Sequence, residues 1–227
     1  MKAFYIASFM LAAFSLSSRA GNPDSASVST VALEMMQKYP NACLGFESVP
    51  GLNETITGKD ELTKAAESWE ALGSVLSSQT DYALEVHGDD VLIRPKAAPQ
   101  LHDGPVVKRP VSFDISKGQL KTIDGALSGV SFKDESQKFS PFLLVTSMSY
   151  PGDKGLLTEA GVVDAIKNGV PNTGGSMELS DALFLIARLA GANTWNYQAS
   201  DAIQIQGKTK SGPRKLADGN LSFSGPR

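Results

Sequence analysis

A helix that runs directly into a β-hairpin constrains this chain more than any other feature. From about Asp60 to Ser77, the residues Leu62, Ala65, Ala66, Trp69, Leu72, Val75 and Leu76 recur at helical spacing and form one apolar stripe. Tyr82–Val86 and Val91–Ile93 then read as two strands, and His87-Gly88-Asp89-Asp90 supplies the turn between them. A helix with one greasy face needs a sheet to lie on. The pattern therefore predicts an α+β fold built of helix plus hairpin units with mixed sheets.

The same order recurs later. Glu178–Ala190 carries Leu179, Ala182, Leu183, Ile186 and Leu189 on one face, with Gly191 as a natural stop. Trp195–Gln198 and Ala202–Gln206 then read as a hairpin around Ala199-Ser200-Asp201. In both places an aromatic residue opens the first strand, which suggests a duplicated module. Around these units we expect a helix over Val31, Leu33, Met35 and Met36, capped at Ser27 or Ser29. Strands are expected at Ala42–Glu47, at Val111–Ile115 and at Phe142–Met148. Leu120, Ile123, Ala126 and Leu127 mark a short helical face, and Leu156–Asn168 a further helix. The expected organisation is a first α+β lobe over 27–95, a proline-rich linker over 96–110 and a second lobe over 111–206. Residues 207–227, polar and basic with Ser-Gly-Pro-Arg twice, are expected to form a disordered tail.

Residues 1–20 have the form of a secretory leader. Lys2 precedes an uncharged run from Ala3 to Leu16, and Ser18-Arg19-Ala20 places small residues before a cut between Ala20 and Gly21. A run of about 14 residues is shorter than a bilayer span requires. Residues 21–26 are expected to be a mobile start. The expectation is a periplasmic or secreted protein with no stable span in its mature chain. The full chain of 227 residues has 21 basic and 24 acidic residues. Removal of Lys2 and Arg19 takes its net charge from -3 to -5. That balance lacks the basic excess of a nucleic-acid binder. The lone Cys43 excludes a disulfide framework, and its apolar surroundings fit a small buried hydrophobe.

No catalytic motif stands out. Gly129-Val130-Ser131-Phe132-Lys133 and Gly174-Gly175-Ser176-Met177-Glu178 both lack the second glycine of a nucleophile elbow. Gly207-Lys208-Thr209 has the end of a phosphate loop, but Ala202 stands where its first glycine would be. His87 and His102 neighbour acids, yet one lies in a turn and the other in the linker, so neither reads as a ligand or base. Trp69, Tyr82 and Trp195 could line a groove, and core packing is the commoner fate at these spacings. Asn53-Glu54-Thr55 and Asn220-Leu221-Ser222 match the glycosylation tripeptide, which has meaning only in a eukaryotic secretory pathway. No catalytic, cofactor or metal residue is assigned.

The segment Met177–Gln206 resembles the closing part of the short N-terminal domains of bacterial secretins and TonB-dependent receptors: an Asp-Ala-Leu helix, a glycine turn, an aromatic strand and an Ile-x-Ile strand. Glu70–Pro95 is a second, looser likeness, and Val111–Ile115 with Leu120 and Leu127 resembles the opening strand and helix. Together these cover about half of the chain after residue 20. No barrel follows, so the resemblance implies a free-standing envelope module that binds an envelope protein partner and carries no catalytic residues. Strand addition at an exposed sheet edge is the binding mode such a module would use. Ala42–Glu47 and Phe142–Met148, each followed by Pro-Gly, are the first places to look for that edge. The alternatives are an exported hydrolase built from scattered carboxylates, or a small-ligand-binding protein.

Overall fold

The computed structural model describes residues 24–97, 105–113, 123–133, 142–144, 176–199 and 219–224. It is α+β with mixed sheets, as the periodicity predicted. Strand β1 (Ser25–Ser27) leads into helix α1 (Val28–Lys38), where Ser27 Oγ accepts the Thr30 N–H at 3.2 Å and caps the first turn. Val28, Val31, Ala32, Met35 and Met36 point inward, while Leu33 faces solvent. Strand β2 (Cys43–Ser48) follows, then β3 (Thr55–Thr57), which pairs antiparallel with β1.

The apolar stripe from Asp60 onward is not one helix. It breaks into α2 (Lys59–Ala65) and α3 (Trp69–Gln79). Ser68 lies between them in an extended conformation, and its Oγ accepts the Ala71 N–H at 3.2 Å. Serine competes with the helical backbone for its own N–H groups, so it starts a new helix more readily than it continues an old one. Strands β4 (Tyr82–His87) and β5 (Asp90–Pro95) form the expected hairpin, with Gly88 at φ 63° in its two-residue turn.

The segment 105–110 does not behave as a loose linker. Val106–Lys108 forms a 3-10 turn whose two valines are buried, and Pro110 already begins strand β6 (Pro110–Phe113). Two adjacent valines bring enough apolar surface to hold this turn against the core despite the flanking prolines. Helix α4 (Ile123–Leu127) and strand β7 (Val130–Phe132) come next. Strands β8 (Phe142–Leu144) and β9 (Ser176–Glu178) precede helix α5 (Leu179–Ala190). A reciprocal capping box between Glu178 and Asp181 starts α5, and Gly191 in the left-handed conformation ends it. The helix expected over Leu156–Asn168 lies outside the described residues.

Strand β10 (Thr194–Ala199) pairs in parallel with β2 and antiparallel with β11 (Gly219–Ser224). Both sides of β10 are thus taken, and its antiparallel partner is β11; the strand expected at Ala202–Gln206 lies outside the described residues. Residues 219–224 leave the expected disordered tail for an interior place in the sheet, because Leu221 and Phe223 alternate onto one face and both are buried. The large sheet runs β4-β5-β2-β10-β11-β8, a three-stranded sheet runs β7-β6-β9, and β1-β3 form a two-stranded pair. Strands from 27–95 and from 111–227 therefore meet in one sheet. The cores stay largely separate. Leu44, Phe46, Tyr82, Val91 and Ile93 pack on one face with α1 and α3. Leu92, Trp195, Tyr197, Leu221 and Phe223 pack on the other with α5 and β6.

Candidate functional site

Of the two edges foreseen, Ala42–Glu47 is no edge. Strand β2 lies at the heart of the sheet between β5 and β10, and Cys43 through Glu47 are all buried. A following Pro-Gly ends a strand along its length and carries no information about its lateral neighbours. Phe142–Leu144 does end the large sheet among the described residues, while 145–148 lie outside them. The opposite end is β4, the first strand of the hairpin.

The pairing of β4 with β5 decides which of its groups are free. Register runs unbroken from Tyr82↔Pro95 to His87↔Asp90. A two-residue turn makes His87–Asp90 a hydrogen-bonded pair, so His87, Glu85 and Ala83 direct their backbone groups at β5. Leu84 and Val86 direct theirs outward, and no described strand meets them. The Tyr82 N–H is occupied by Thr80 Oγ1 at 3.1 Å. On the helical face, Leu84 is half-buried beside Gly73 of α3, and Val86 is 41% exposed. A shallow groove runs here between α3 and the strand, bordered by Gly73, Ser74, Ser77, Leu84 and Val86.

The other face of β4 is charged and internally matched. Glu85 receives Arg94 Nε at 2.7 Å and Lys108 Nζ at 3.0 Å, and Lys108 also reaches Glu178 at 2.5 Å. Burial pushes the Glu85 carboxyl up, but the hydrogen bonds and charges of Lys108 and Arg94 outweigh it and hold it below its ordinary range. His87 Nε2 stands 3.7 Å from Glu85, with its side chain 74% exposed. His102 lies outside the described residues.

One buried acid was not singled out from the sequence. Glu47 is fully buried on β2 and accepts the Val106 N–H at 2.8 Å and the Val107 N–H at 3.4 Å. Burial raises its carboxyl to about 7, against the pull of those two N–H groups and the Arg94 charge. Both oxygens are turned to the backbone of the 3-10 turn, which makes Glu47 a clamp on that turn. An acid inside an apolar strand is legible in sequence, but its partner sixty positions away is not. Cys43 is also buried, and burial pushes its thiol up to about 12, with Asp90 adding to the shift and Arg188 opposing it. Such a thiol is a poor nucleophile. Trp69, Tyr82 and Trp195 are all buried in the core. The Ser131 hydroxyl pairs with that of Ser112 at 2.8 Å across β6 and β7. Among the described residues no three His, Cys, Asp or Glu side chains are grouped to hold a metal ion, and no helix is long and apolar enough to cross a membrane. The cleavage position Ala20–Gly21 lies outside the described residues.

No family model, curated protein or solved structure matches the chain.

Proposed function

We propose that this chain is an exported, non-enzymatic protein-interaction module of the bacterial cell envelope, similar in kind to the short N-terminal domains of secretins and TonB-dependent receptors, and that it takes a protein strand along β4. The observation that carries this reading is the outward-facing backbone of Leu84 and Val86 beside an exposed apolar side chain. Added strands gain affinity from main-chain hydrogen bonds and specificity from alternate side chains entering a groove. The leader-like residues 1–20 support export.

The test compares two forms of the protein in its native envelope. Crosslinking and affinity purification from the wild-type chain should recover a defined partner. Val86→Pro, which removes an outward N–H and leaves the β5 ladder intact, should lose it while keeping its circular dichroism. Equal recovery by both forms would remove β4 from the interface. Sequencing of the exported protein's N-terminus should begin at Gly21.

A further inference from the structure

We infer that the strand taken by β4 is the β4 strand of a second copy of this chain, giving a symmetric dimer with one continuous sheet. The inference rests on the proposed reading of β4 as a docking edge, and it names the occupant.

The strand lacks the lysines, prolines and bulges that ordinarily keep sheets apart. Tyr82–His87 contains no lysine, arginine or proline, and its register with β5 has no bulge. Short charged edges, prolines and bulges are the usual protection against edge pairing. The one acid on the strand, Glu85, is turned to Arg94 and Lys108 and faces away from the groove.

Charge then selects the register. Leu84 and Val86 direct their backbone groups outward, so an antiparallel copy must align even-numbered residues with even-numbered ones. Centring the pair on Ala83 would set Glu85 opposite the partner's Asp81, and centring it on Glu85 would set two carboxylates face to face. Like charges directly opposite are destabilising. Centring on Val86 runs the pairing into the Gly88-Asp89 turn and shortens it. Centring on Leu84 avoids all of these. The two Leu84 residues then exchange a pair of backbone bonds, and each Val86 N–H reaches the partner's Tyr82 carbonyl. Glu85 faces the partner's Ala83, and His87 faces the partner's Asp81, an exposed acid. On the helical face, the two α3 helices come side by side. Gly73, Ser74 and Ser77 border the groove there, and their small side chains leave room for that approach.

Sedimentation equilibrium of the exported chain, at concentrations up to about 0.1 mM, should show a reversible monomer–dimer equilibrium. Val86→Pro should be monomeric, and Val86→Lys provides the same test should proline disturb folding. The register is read by mixing Ala83→Cys protein with Glu85→Cys protein under mild oxidation. The mixture should crosslink several-fold more than either variant alone, since Cys43 is buried and takes no part. A wild-type chain that stays monomeric overturns the inference, as does equal crosslinking by either variant alone. If the monomeric chain still loses an envelope partner on Val86→Pro, the docking edge stands and only its occupant is wrong. If it loses nothing, both readings fail.

Discussion

Gly45 and Glu47 lie two residues apart on β2 and show how differently single positions bind the fold together. A Cβ added at Gly45 would overlap the Trp195 indole and the Phe184 ring, because Gly45 pairs directly with Trp195 across the sheet. Glycine is required there by the close approach of a large ring. Gly45→Ala should destabilise the protein by about 1–3 kcal/mol in urea denaturation, through overpacking. Glu47 acts through protonation. Its folded carboxyl titrates near 7 against an ordinary value of 4.5, so the folded state holds this proton more tightly than the unfolded chain. Stability from this group is complete below pH 4.5 and is lost as pH rises toward 7, by on the order of 3 kcal/mol. Glu85, held below its ordinary range, acts in the opposite sense at lower pH. Melting temperatures across pH 4.5–7.5 should therefore slope downward more steeply in wild type than in Glu47→Gln. Parallel curves would show that the carboxyl does not titrate in that window.

At the scale of elements, caps and alternation explain where the readings from sequence succeeded. Helix α5 was legible because its apolar stripe and the Gly191 stop are local signals that need no tertiary partner, and the Glu178–Asp181 capping box fixes its start in the structure. The break between α2 and α3 was present in sequence as Ser68, but the apolar stripe runs through it unbroken and masks it. Ser68→Ala should cost about 1 kcal/mol by removing the cap on Ala71, measured by chemical denaturation; no change would mean that α3 needs no side-chain cap. Strand β11 carried its own signal too, in the alternation of Leu221 and Phe223. The surrounding glycine, proline and charge of 207–227 outweigh four residues of alternation in any reading by composition. Phe223→Ala should destabilise by about 3–5 kcal/mol, a magnitude that no disordered tail would show.

Across the whole molecule, one sheet takes strands from both ends of the chain. Strand β11 lies between β10 and β8, so residues 219–224 hold an interior place in the sheet. Ending the chain after Asp218 should uncover the full length of β10 and abolish cooperative unfolding. A truncated protein with a wild-type melt would show that the sheet closes without β11. The sequence by itself determined the class of the fold, the α1 and α5 helices and the β4–β5 hairpin, because periodicity, caps and tight turns act over a few residues. Only the tertiary structure decided that β2 is central, that 105–108 is clamped by Glu47 and that β4 ends the large sheet among the described residues. Those are matters of lateral neighbours. A strand's side-chain alternation records which faces are covered, and its backbone bonds, which set its neighbours, leave no mark in residue type.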